Sequence, residues 1–237
     1  MQIPVIPTLD TLKFAFLCLS LFYHFVDVLL NKYMPYRRPS YVTNQYYHLY
    51  NRGVEKHLIF RSEEDWRVFQ RLLSRFSCRG YQEVSLEAYC LMPNHFHLLV
   101  KQLCDSGICK FLQRLLTTYA MYFNHIYQRV GPLFQGRTKA RYIGSDQSYK
   151  HISRYIHRNP LKLLPHYSEI YLYKYSSFRF FLYSEKARGG KLLSLFEHDP
   201  IQYEQFVLFD KPRNENIPII EAPTPTPTSL IPFPGSF

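Results

Sequence analysis

Apolar and polar positions change period several times along the 237-residue chain, and each change predicts an element. Residues 45–53, QYYHLYNRG, alternate with period two and predict a first strand, ended by Asn-Arg-Gly turn chemistry. From Ser62 the spacing becomes helical: SEEDWRVFQRLLSRFSCRG sets Trp66, Phe69, Leu72, Leu73 and Phe76 on one side. Acids fill its first turn, bases its end, and Gly80 stops it. Two short apolar runs flank Met92-Pro93-Asn94, so strands over 84–92 and 95–101 are predicted to form a hairpin around Pro93-Asn94. A second helix is predicted over about 108–129, apolar at Phe111, Leu115, Tyr119, Tyr122 and Phe123 among others, and ended by Gly131-Pro132. Residues 133–144, LFQGRTKARYIG, are basic and partly alternating, a loop or strand facing a partner. Ser145-Asp146 then caps a third helix, SDQSYKHISRYIHRN, closed by Pro160. This order predicts a two-layer α+β domain: an antiparallel sheet with helices on one face and the other face exposed.

The two ends of the chain have a different character. Residues 1–33 form an apolar extension whose run over 9–30 is broken by Lys13, His24 and Asp27. A charge at the centre of a membrane span costs roughly 3 kcal/mol on insertion scales, which disfavours an anchor. A start at Met34, where MPYRRPSYVTNQYYHLYNRG begins, is the favoured reading, with a real anchor second. A C-terminal extension covers 186–210, and 211–237 is Pro-rich with few charges and predicts a disordered tail.

Charge adds a partner to this picture. The formal net charge is +11, and residues 34–185 hold 22 of the 29 basic and 10 of the 18 acidic residues, a net of +12. Aromatic residues make up 17%, with 21 Tyr and 19 Phe. A basic, aromatic domain fits a nucleic acid, because phosphates attract the charge and bases stack on rings. The five cysteines, odd in number and without a C-x-x-C pair, indicate neither a zinc ribbon nor a disulfide framework. A reducing cytoplasm is the expected compartment.

Candidate chemistry sits in YCLMPNHFHLLVKQ, residues 89–102. In a strand, His95 and His97 point one way and Phe96 the other, so two imidazoles share a face and can grip one divalent metal. An isolated His-x-His is as well explained by polar positions on a solvated face. On the third helix His151, Tyr155 and Asn159 recur at i, i+4 and i+8, offering a phenol and an amide together. Among 21 tyrosines, Tyr119 and Tyr122 are rivals to Tyr155 on chemistry alone.

Four blocks resolve the choice: YYHLYNRGVEKHLIF, MPNHFHLLV, GPLFQGRTKARY and YKHISRYIHRNPLK. Together, over roughly 41–180 and in this order, they resemble the REP-associated tyrosine transposases, single-tyrosine transposases of the His-hydrophobic-His (HUH) kind. The resemblance implies a ferredoxin-like domain over 34–185 that cuts and rejoins single-stranded DNA beside palindromic hairpins, as monomer or homodimer, with no small-molecule substrate. It implies His95 and His97 as metal ligands, Tyr155 as nucleophile, and Asn159 where relatives place a third polar ligand, often Gln in the wider superfamily. Oxygen from Asn159, phosphate and water favours Mg²⁺ or Mn²⁺. Arg137, Lys139, Arg141, Arg154 and Arg158 are expected to bind DNA, with Arg154 and Arg158 also assisting the phenolate. A domesticated relative that binds hairpins without cutting would need the same basic surface but no metal or tyrosine in register. An unrelated metal hydrolase would leave the +12 charge of the domain unexplained.

Overall fold

A computed structural model of the chain describes residues 41–78 and 81–209. The apolar N-terminal extension, the stop at Gly80 and the Pro-rich tail lie outside the described residues. Among the described residues no helix is long and apolar enough to cross a membrane.

The elements follow the predicted order: β1 (Tyr46–Arg52), α1 (Glu63–Cys78), β2 (Val84–Met92), β3 (His95–Gln102), α2 (Gly107–Ile126), β4 (Lys139–Ile143) and α3 (Asp146–Arg158). The four strands form one sheet in the order β2-β3-β1-β4, antiparallel throughout. With α1 and α2 packed on one face this is the ferredoxin-like arrangement, and the α+β expectation holds. The core on that face gathers Tyr47 and Leu49 of β1, Phe96, Leu98 and Val100 of β3, and Phe69, Leu73, Phe111, Leu115 and Tyr119 of the helices.

Local chemistry explains the ends. At the start of α1, Ser62 Oγ accepts from the Asp65 N–H at 3.3 Å, and Asp65 Oδ2 accepts from the Ser62 N–H at 2.9 Å. This reciprocal pair satisfies donors that a helix start leaves unbonded. Helix α2 stops earlier than predicted, at Ile126, because Gln128 takes a left-handed φ of 49° and Asn124 Nδ2 donates to the Gly131 carbonyl at 2.9 Å. The Asn-Arg-Gly stretch is not a turn either. Asn51 and Arg52 stay paired in β1, and Gly53 is extended, at φ −62° and ψ 149°. It must be glycine for space, since a Cβ there would lie 2.2 Å from the His57 carbonyl oxygen.

The second face of the sheet corrects the expectation of helices on one face only. Helix α3 lies across β2 and β3 there, with Ile152 and Ile156 buried against Ala88, Cys90, Met92 and Leu99. Behind it pack α4 (Phe178–Tyr183), α5 (Glu185–Arg188), α6 (Lys191–Ser194) and α7 (Pro200–Leu208). Phe178, Phe181, Leu193, Tyr203 and Val207 supply this second core, so residues 186–209 of the C-terminal extension are built into the same layer as α3. The cover is tied to β2 by Leu91 N–H to the Tyr175 carbonyl and Ser177 N–H to the Tyr89 carbonyl, both 2.9 Å. The reason is apolar area: each large side chain removed from water contributes roughly 1.5–3 kcal/mol, and the aromatic residues after Pro165 need a surface to cover.

Candidate active site

Strand pairing builds the site by placing residues from three strands on one face. In the central pairs Tyr50 stands opposite His97, and His97 opposite Cys90. Opposed residues of antiparallel strands share a face, as do residues two apart on one strand. His95 and His97 of β3 therefore lie with His48 and Tyr50 of β1, while Phe96 points into the other core against Phe69 and Phe134. On edge strand β4, Lys139 pairs with Tyr50 and Arg141 with His48, so both exposed bases flank the histidine face.

Helix α3 brings Tyr155 to the same place. Its half-buried ring lies edge-on to His97, with centroids 5.2 Å apart, and 5.9 Å from the ring of His48. His95 and His97 are themselves perpendicular at 5.1 Å. Asn159, one turn on, donates Nδ2–H to the Tyr155 carbonyl at 2.9 Å, leaving its Oδ1 beside Lys162 Nζ at 3.4 Å. Lys162 Nζ also stands over the Tyr155 ring, 5.6 Å from its centroid. His151, one turn before Tyr155, has its ring 6.0 Å from that of Phe206 and its Nδ1 3.1 Å from Arg154 Nη2.

The electrostatics favour neutral imidazoles. Burial pushes His95 down to about 4, with the Lys162 charge adding to it and the Asn159 amide opposing. Burial also holds His97 well below its ordinary value, helped by His48, His95 and Lys162. His48 falls to about 3 through burial, then through Arg141. His95 and His97 are both 0% exposed, so the reading as solvated polar positions fails. In each ring one nitrogen is engaged: Asn94 Oδ1 lies 2.7 Å from His95 Nδ1, and His48 Nε2 lies 2.9 Å from His97 Nδ1. The other nitrogen of each, Nε2, is buried with no hydrogen-bond partner. Two neutral imidazoles, each held at Nδ1 and bare at Nε2, have the chemistry of a metal-ligand pair. Among the described residues no group of three or more His, Cys, Asp or Glu is placed to hold an ion. A third protein ligand would have to be a neutral oxygen, and Asn159 Oδ1 is the one beside His95.

The rival tyrosines are elsewhere. Tyr119 and Tyr122 belong to α2 on the opposite face, Tyr119 with its hydroxyl on the Ile59 carbonyl and Tyr122 with its hydroxyl 3.1 Å from Asp65 Oδ1. Burial and Asp65 push the Tyr122 phenol up to about 12, away from nucleophilic use.

The arginines divide. Arg137, Lys139 and Arg141 are exposed, Lys139 and Arg141 on the histidine face. Arg154 requires a correction: it is 2% exposed, its guanidinium 4.5 Å from the Phe206 ring, and it pins α3 to α7. One residue is about 100° of helix, so Arg154 cannot share the Tyr155 face. Arg158 is half-buried and donates from Nη1 to the Val207 carbonyl at 3.1 Å, which commits it to the same packing. Sequence reasoning missed His48, Asn94 and Lys162. Asn94 announces only turn chemistry in the sequence, and no spacing rule announces His48, whose place appears only in the register of β1 on β3.

Comparison with known proteins bears on the family and the fold. The model of the IS200-like transposase family matches residues 41–159. A solved structure of a REP-associated tyrosine transposase bound to a REP hairpin superposes with a TM-score of 0.50 at 16% identity, over 66% of this chain and 87% of that one. A candidate transposase of Deinococcus radiodurans R1 matches at 21% identity and a TM-score of 0.36, over 52% of this chain and 95% of that one. No curated protein matches the sequence.

Proposed function

This chain belongs to the IS200-like transposase family, and from that premise we propose that it nicks and rejoins single-stranded DNA beside a hairpin through a 5′-phosphotyrosine at Tyr155. The observation that carries the reading is the meeting of Tyr155 with the two buried, half-bonded histidines on one face of the sheet. A hairpin is the DNA form bound in the solved relative that shares this fold, and the exposed bases of β4 suit a phosphate backbone.

In this reading His95 Nε2, His97 Nε2 and Asn159 Oδ1 would hold a divalent ion, Mg²⁺ or Mn²⁺ given the oxygen share of the remaining positions. When bound, such an ion supplies charge to the scissile phosphate and to the departing 3′-oxygen. The phenolic oxygen of Tyr155 attacks phosphorus, the bond from phosphorus to the 3′-oxygen breaks, and the phenolic proton leaves to solvent as the 3′-oxygen gains one. An unperturbed phenol has a pKa of about 10, so the attack needs help, and the Lys162 ammonium over the ring favours the developing phenolate. The phosphotyrosine keeps the energy of the broken bond, so a 3′-hydroxyl can attack it and restore a phosphodiester.

The test is incubation with an end-labelled single-stranded hairpin and Mn²⁺, followed by denaturing electrophoresis. A protein–DNA adduct that survives denaturation is expected. Tight hairpin binding without adduct or cleavage would instead identify a protein that binds hairpins and no longer cuts them.

A further inference from the structure

We propose that His48 is a positioning residue that fixes the tautomer of His97, and so keeps His97 Nε2 bare for a divalent ion. The proposal rests on the metal-site reading above and goes beyond it, because it concerns a residue that touches neither ion nor DNA. Its basis is the 2.9 Å approach of His48 Nε2 to His97 Nδ1, between rings stacked at 5.1 Å and tilted by 25°.

Two imidazole nitrogens at this distance share one proton, and only two arrangements are open. If His48 carries it, His97 Nδ1 accepts, and the neutral His97 must bear its own proton on Nε2, where an ion would sit. If His97 Nδ1 carries it, His48 Nε2 accepts, and His97 Nε2 keeps its lone pair. Only the second is compatible with ligation. The surroundings hold the His48 ring in place. It is 1% exposed, sits in the middle of β1, and stacks on Tyr50 at 5.0 Å. The second arrangement puts the His48 proton on Nδ1, which is buried without a partner. His95 is served differently, by Asn94 Oδ1, an oxygen that can only accept. Each histidine of the pair thus has its own acceptor at Nδ1, one from the hairpin turn and one from the neighbouring strand.

The experiment has two arms. In the metal-free protein labelled with ¹⁵N, long-range proton–nitrogen correlation spectra report ring tautomers directly. His97 is expected with its proton on Nδ1, and a His97 protonated on Nε2 would overturn the proposal without any variant. In the second arm, Mn²⁺ affinity is measured from the free-ion signal in electron paramagnetic resonance for the unchanged protein, His48→Gln and His48→Leu. Gln keeps an acceptor oxygen at similar reach and should bind within a few-fold of the original, whereas Leu should lose about 10–100-fold. Hairpin affinity should stay unchanged in both variants, which separates a fixed ligand from a general loss of structure. Equal Mn²⁺ affinity in His48→Leu would overturn this proposal alone. No Mn²⁺ binding by the unchanged protein would overturn the metal-site reading and this proposal with it.

Discussion

The rings of His97 and Tyr155 meet at 82°, although one comes from the centre of a sheet and the other from a helix more than fifty residues later. Phenylalanine keeps the ring that makes this contact. Tyr155→Phe should therefore keep the fold and hairpin affinity, while adduct formation falls by three orders of magnitude or more, roughly the loss seen when a nucleophile is removed. Denaturing gels and a binding isotherm on the same preparation check both halves. An adduct at wild-type level would reassign the nucleophile.

Removing a ligand should act through the ion. His95→Ala or His97→Ala should abolish Mn²⁺-dependent cleavage and lower Mn²⁺ affinity further than any change at His48, since the donor itself is lost. Isothermal titration with Mn²⁺ reads this without DNA. Undiminished Mn²⁺ affinity in both variants would place the ion elsewhere.

Salt dependence should report the β4 edge. Lys139 and Arg141 are exposed and share the histidine face, so hairpin affinity should fall steeply as salt rises. Arg141→Ala should flatten the slope of log K against log salt by about 0.7, the release expected for one single-strand phosphate contact. Arg154→Ala should leave that slope alone and lower stability instead, because its guanidinium is buried on Phe206.

Asp65 should be a stability residue on the other face. Its carboxylate accepts from the N–H groups of Arg61 and Ser62 and from the hydroxyls of Tyr122 and Tyr127, and it is 0% exposed. Asp65→Ala removes a helix cap and leaves buried donors unbonded, at a cost of about 3 kcal/mol or more. Urea unfolding should show it, with catalysis per folded molecule unchanged.

Acid should weaken the fold through its buried imidazoles. Burial lowers His48 and His157 to about 3 and His95 to about 4, so all three stay neutral in the folded protein at pH 5.5. The unfolded chain takes up those protons below its ordinary value of about 6.5. With more protons bound when unfolded, stability falls as pH drops from about 6.5 towards 4, by about 1.4 kcal/mol per group at pH 5.5. A urea midpoint as high at pH 5.5 as at pH 7.5 would contradict the neutral assignment.

The legible parts of this molecule were those that local period controls. The hairpin at Pro93-Asn94, the helix start at Ser62 and the opposite facing of Phe96 and His97 follow from alternation and capping, and the structure keeps them. What local period cannot give is which strand lies beside which. His48 reads as one polar position in β1 until the register sets β1 against β3. Arg154 and Arg158 read as surface bases until α7 arrives to cover them, because helical spacing fixes a direction and not what stands there. The second cover was missed for a related reason. Its helices are four to nine residues long, too short for a periodic pattern to declare them.

That second cover also sets an order in time. His157, two residues beyond Tyr155, shares a hydrogen bond with the Tyr203 hydroxyl, 46 residues further on. Arg154 and Arg158 reach the same stretch, at Phe206 and Val207. A ribosome adding about 5–20 residues per second needs about 2–9 seconds to go from one partner to the other. Throughout that interval the histidine strand is already made, while the tyrosine helix lacks the segment that packs it down. The helix of Tyr155 is thus packed down last, and a chain still in synthesis carries His95 and His97 before that helix is covered.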